Sequence, residues 1–108
     1  MSKYRNRKTE LDGMLFDSRH EATRWIELKY MERAGLITDL RRQVPFELIP
    51  AVRSGRKVIQ RAITYVADFV YTQSGTQVIE DAKGVKTDVY RIKKKLLYWR
   101  YGYEIKEV

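Results

Sequence analysis

The sequence contains no cysteine and a single histidine, His20. The first absence excludes disulfides, thiolate metal sites and cysteine nucleophiles. The second excludes a metal site built from several histidines. Any resident metal must be held by carboxylates and carbonyls, a donor set suited to hard ions such as magnesium, manganese or calcium. Long apolar runs are also missing, and nothing approaches the ~20 residues of a membrane-spanning helix. Met1, Ser2, Lys3, Tyr4 and Arg5 lead into no apolar stretch of a secretion signal, so the cytoplasm is the expected compartment. Acidic residues are outnumbered, 14 against 22 lysines and arginines, which leaves a net charge of +8. A small chain this basic is expected to meet a polyanion, and nucleic acid is the commonest one.

The 108 residues suit one domain spanning 1–108. Residues 1–12 are polar and basic, with Arg5, Arg7 and Lys8, and read as an arm that could lie on phosphates or simply fray. A helix is expected over 18–34, capped by Asp17 or Ser18, with Glu21 at capping-box spacing and Gly35 as the stop. Pro45 and Pro50 bracket a short edge strand, Phe46 to Ile49. After the Ser54–Lys57 turn, Val58 to Tyr71 reads as one long strand, bent once at most. Gln73 to Thr76 is a turn, and Gln77 to Lys83 a third strand. A second helix follows, with Asp88 as its cap and Val89, Ile92, Leu96 and Trp99 as its apolar face. Gly102 ends it, and Tyr103 to Val108 alternates like a final strand. The fold class is thus α/β, an α+β mixed four-stranded sheet flanked by helices, in the order α-β-β-β-α-β.

The chemistry concentrates in two segments, Ala67-Asp68-Phe69 and Val78 to Gly84. Strand alternation puts Asp81 and Lys83 on one face and Glu80 and Ala82 on the other. Symmetric pairing about the Gln73–Thr76 turn brings Asp68 next to Asp81. Carboxylates among apolar strand residues are expensive unless paired or metal-bound. An ion pair of Lys83 with either aspartate is the plain structural alternative.

An aspartate, a hairpin and then Asp-x-Lys in this element order resemble the PD-(D/E)xK, restriction-endonuclease-like superfamily. More narrowly, Lys3 to Thr9, Phe16-Asp17-Ser18, Glu32 to Gly35, Ile63 to Phe69 and Glu80 to Gly84 resemble a small phage- and prophage-encoded branch of it. Ala67 stands where that superfamily has its nominal proline. The resemblance implies a DNA endonuclease in a bacterial host, with Mg2+ or Mn2+ as cofactor. It implies that Asp68 bridges metal, that Asp81 and the Ala82 carbonyl are further ligands, and that Lys83 positions the attacking water. It adds a first-helix glutamate, for which Glu21 is the candidate; Glu21 can equally be the capping-box partner of Ser18.

Such chemistry needs these residue types. Carboxylate-held metal lowers the pKa of water and offsets phosphate charge, and a lysine stabilises the anionic transition state. Glu80, facing away, is expected to be structural, and His20 to be a surface helix residue. DNA contacts are expected from Lys86, Arg91, Lys93, Lys94, Lys95 and Arg100, with Arg5, Arg7 and Lys8 from the arm. Cutting two strands at once would take a homodimer, and junction-resolving activity follows by analogy alone. The rival expectation is a basic DNA- or protein-binding module that keeps the fold without catalysis.

Overall fold

The computed structural model describes residues 8–108, so Arg5 and Arg7 lie outside the described residues. The chain begins with a small hairpin, β1 (Thr9–Leu11) and β2 (Met14–Phe16). Part of the expected arm is therefore strand, and Lys8, just before it, is exposed. Helix α1 (Arg19–Arg33) follows, its N-terminus capped by Ser18, whose Oγ accepts from the Glu21 N–H at 3.1 Å. Ala34 is its C-cap and Gly35 lies one residue beyond, in the left-handed region where glycine carries no Cβ penalty.

The main sheet has strand order β3-β6-β7-β8, from β3 (Thr38–Ile49), β6 (Ile63–Gln73), β7 (Thr76–Asp81) and β8 (Ile105–Glu107). β3, β6 and β7 are antiparallel neighbours, and β8 joins β7 in parallel after the crossover through α2 (Asp88–Tyr101). The turn between β6 and β7 places both Ser74 and Gly75 at positive φ, as a type I′ turn requires. This locks the register of the two strands that carry the acidic residues. The fold class and the order of these helices and sheet strands are those expected from sequence.

Two cores lie on either side of the sheet. Under α1 sit Phe16, Ala22, Trp25, Leu28, Phe69 and Tyr71; under α2 sit Leu48, Tyr65, Ala67, Ile79, Tyr90 and Leu97.

Several expectations need correction. The edge strand is not the short segment 46–49 but β3, which runs through Pro45. Proline is tolerated there because β3 pairs on one side only within the main sheet. Val58 to Tyr71 is not one strand. It divides into β5 (Lys57–Gln60) and β6, and β5 pairs with β4 (Val52–Ser54) in a separate hairpin. Thr87, not Asp88, caps α2, its Oγ1 accepting from the Tyr90 N–H at 3.1 Å.

The buried face of α2 is also different. Val89, Ile92 and Trp99 are 61%, 60% and 76% exposed, while Tyr90 and Leu97 are buried. Both sets fall at helical spacing, so periodicity alone does not choose between them. Tyr90 decides the rotation: its hydroxyl donates to Glu107 at 2.8 Å, and its ring packs 6.4 Å from that of Tyr65.

Candidate active site

β6 and β7 are hydrogen-bonded as far as Phe69 opposite Glu80. One step further, the same antiparallel register sets Asp68 opposite Asp81, their side chains on one face. Ala82 N–H donates to Asp68 Oδ2 at 2.9 Å, and Lys83 Nζ lies 3.8 Å from Asp81 Oδ1. Glu21 enters from the first turn of α1. Its backbone N–H is held by Ser18, while its carboxylate turns inward and accepts from the Asp17 N–H and from Gln43 Nε2, both at 3.2 Å. Glu21 thus serves the cap through its backbone and the site through its side chain. Glu21, Asp68, Ala82 and Lys83 line one cleft of about 380 Å³, together with His20 and Gly84.

The electrostatics of this cleft are lopsided. Glu21, Asp68 and Asp81 are 2%, 8% and 1% exposed. Facing them are two loosely placed cations, Lys83 and Arg42, the latter 3.8 Å from Glu21. Burial, reinforced by the Asp68 charge, pushes Glu21 up to about 7. Burial likewise pushes Asp81 up to about 6, although the Tyr65 hydroxyl, donating at 2.6 Å, works against it. Asp81 Oδ1 is buried without a hydrogen-bond partner among the described residues. A buried carboxylate oxygen left without a donor calls for an explanation, an unplaced ion among them.

Hard divalent ions suit this donor set. Among the described residues, no three carboxylate or imidazole side chains already converge as a finished chelate. The fit rests on the Asp68–Asp81 pair and its orphaned oxygen, with Glu21 held back by Asp17 and Gln43.

Glu80 is elsewhere. It is fully buried on the opposite face, where Arg24 grips it with Nε at 2.8 Å and Nη2 at 2.7 Å, and the Tyr71 hydroxyl donates to it. His20 is also accounted for, since its Nε2 bonds the Val108 carbonyl at 2.8 Å. The expected DNA-contacting cations in and just before α2 are partly committed within the chain. Lys86 and Lys94 both pair with Glu107, Arg91 pairs with Asp88, and Arg100 donates to the Leu48 carbonyl. The Tyr90 hydroxyl, followed by Lys86 and Lys94, pulls Glu107 down to about 2. Lys93 is half-buried and Lys95 exposed.

Sequence reasoning missed Gln43, Tyr65 and Arg42. Gln43 has φ +52, rare for a residue inside a strand, and its amide reaches toward both Glu21 and Asp68. Nothing in the sequence marks it. Tyr65 could have been found, since it lies on the strand that carries Asp68.

A family model described as "Protein of unknown function (DUF1064)" matches residues 1–107. The chain belongs to the DUF1064 family. No curated protein and no solved structure matches it.

The acidic centre of this DUF1064 chain has a consequence for stability. A carboxyl group whose pKa is higher folded than unfolded stabilises the fold at low pH and loses that contribution as pH rises through the folded value. Metal-free protein should therefore become less stable between about pH 5 and 7, with Asp81 contributing only up to about pH 6, by at most about 1.4 kcal/mol per pH unit for each group. Urea denaturation in EDTA measures this, and Glu21→Gln should flatten the slope. A wild-type stability that is level or rises across that window would contradict the assignment.

Proposed function

We propose that this protein is a metal-dependent nuclease that hydrolyses DNA phosphodiester bonds in the cleft lined by Glu21, Asp68 and Lys83, with Asp81 buried beside it. The observation that carries this reading is the buried pair Asp68 and Asp81, with an unsatisfied oxygen on Asp81 and an ammonium 3.8 Å from it. The resemblance to the PD-(D/E)xK superfamily supports it, as does the net charge of +8. Asp68 and Asp81 would hold Mg2+ or Mn2+, with the Ala82 carbonyl and Glu21 as further donors. Such an ion, when bound, lowers the pKa of water and offsets charge on the phosphate.

The chain's own residues do the rest. Tyr65 fixes one oxygen of Asp81 and leaves the other free. The Ala82 N–H fixes Asp68, and Gln43 restrains Glu21. Lys83 stands over the Tyr90 ring, 5.4 Å from its centre, and 3.8 Å from Asp81 Oδ1, with no close hydrogen bond to hold its ammonium. It can donate to a non-bridging phosphate oxygen as water adds to phosphorus and the P–O ester bond breaks.

The test is a cleavage panel of linear, supercoiled, single-stranded and four-way DNA, with magnesium, manganese or EDTA. Cleavage of at least one substrate that EDTA abolishes is expected. If every substrate stays intact with either metal while the protein still binds DNA, the non-catalytic binding module is the better reading.

The reading includes a pair of chains, since one centre cuts one strand at a time. The exposed stripe of Val89, Ile92 and Trp99, flanked by Ile49 and Ile63, is the surface such a pair would cover. A standard interface needs about 800 Å² per partner, and one exposed tryptophan supplies on the order of 150–200 Å². Sedimentation should give a dimer for the wild type and a monomer for Trp99→Glu. A wild-type monomer at tens of micromolar would remove this part.

A further inference from the structure

The hairpin formed by β4 and β5 belongs to neither core. Every residue from Val52 to Arg61 is exposed. An isolated two-stranded hairpin is only marginally stable in water, so one kept free of the body of the domain calls for a partner. Its geometry is nonetheless defined. Ser54 pairs with Lys57 across a two-residue turn, and Gly55 takes the positive φ that the first central position of a type II′ turn requires. Arg56 is thereby presented at the tip.

The charge of the hairpin identifies the partner. From Leu48 to Ala67 the sequence has no acidic residue and four cations: Arg53, Arg56, Lys57 and Arg61. None of the four has an ion-pair partner among the described residues. This sets them apart from Lys86, Arg91 and Lys94 of the α2 region, which carboxylates already neutralise in part. Uncompensated charge on a slender projection is what counterion release from a duplex rewards. A two-stranded ribbon also fits the major groove, about 12 Å wide.

Position agrees as well. The hairpin leads into β6 at Ile63, five residues before Asp68. That is roughly 17 Å of extended strand, about half of one ~34 Å duplex turn. A duplex with its scissile phosphate at Asp68 would offer a neighbouring groove to the hairpin.

We propose that the β4–β5 hairpin is a duplex-gripping arm, with Arg53, Arg56 and Lys57 on the phosphates that flank a groove. This rests on the nuclease reading of the Asp68–Asp81 cleft and assigns it a binding element that the cleft lacks. The arm supplies affinity, and the cleft supplies chemistry.

The experiment compares wild type with the triple variant Arg53→Ala, Arg56→Ala, Lys57→Ala. Duplex binding is titrated in EDTA at several salt concentrations, and single-turnover cleavage is then followed with magnesium at saturating DNA. The variant should bind at least tenfold more weakly. The slope of log affinity against log salt should be shallower by about 2 to 3, near 0.9 for each lost phosphate contact. The cleavage rate at saturation should stay within about threefold, and the thermal midpoint should not move, because the hairpin packs into neither core.

A variant that binds with wild-type affinity and salt slope overturns the arm, while magnesium-dependent cleavage by both proteins leaves the nuclease reading standing. Loss of cleavage at saturation with binding intact also overturns it. If wild type has no measurable affinity for DNA and cuts none, the arm and the nuclease reading fall together.

Discussion

Replacing Arg24 with methionine should lower folding stability by about 3–5 kcal/mol, the usual penalty for removing one partner of a buried ion pair. Glu80 is fully buried, and its charge is met by two short guanidinium bonds and the Tyr71 hydroxyl. Without Arg24 that carboxylate must either stay ionised in the core or take up a proton. Proximity to Glu80 explains why Arg24 is held well above the ordinary range of an arginine. The double variant Arg24→Met with Glu80→Gln should recover most of the loss, because glutamine can still accept from Tyr71 without a charge to neutralise. Urea denaturation gives both numbers. An Arg24→Met variant within about 1 kcal/mol of wild type would mean that the pair contributes no more than an exposed one.

Lys83→Ala should slow single-turnover DNA cleavage by about a hundred- to a thousandfold, the usual effect of removing one positioned donor from a developing anion. Duplex affinity should change little, since Lys83 is one of 22 cationic residues. Stability should hold or fall slightly, because the ammonium offsets the buried Asp81 charge from 3.8 Å but forms no close hydrogen bond with it. An effect on affinity with the cleavage rate unchanged would recast Lys83 as a binding residue.

Much of the acidic centre was legible in the sequence for a simple reason. Asp68 and Asp81 lie on adjacent strands joined by a tight turn, so alternation and turn symmetry locate both without tertiary information. The same parity assigned Glu80 to the opposite face, where Arg24 now accounts for it. Residues brought in by long-range packing were not legible. Gln43 meets Asp68 only because β3 pairs with β6, and its left-handed backbone has no sequence signal. The β1–β2 hairpin did have one: Asp12-Gly13, both at positive φ, is a type I′ turn between short strands, obscured by the charge of its surroundings. The rotation of α2 was ambiguous because two apolar faces compete on one helix, and the hydroxyl of Tyr90 settled it. The break between β5 and β6 was hidden by the β-branched residues on either side of Gln60-Arg61-Ala62.

The central claim is that the buried aspartate pair carries metal-dependent cleavage, and Asp81→Asn tests it with least disturbance. Asparagine keeps the acceptor for Tyr65 and removes a carboxylate that burial already penalises, so metal-free stability should be at least that of wild type. Wild type and Asp81→Asn should be incubated with the same DNA substrate in magnesium, each with an EDTA control. The account predicts steady cleavage by wild type, none in EDTA, and a loss of at least about a thousandfold in the folded variant. Equal cleavage by the two proteins, or cleavage by wild type that EDTA does not stop, would contradict it.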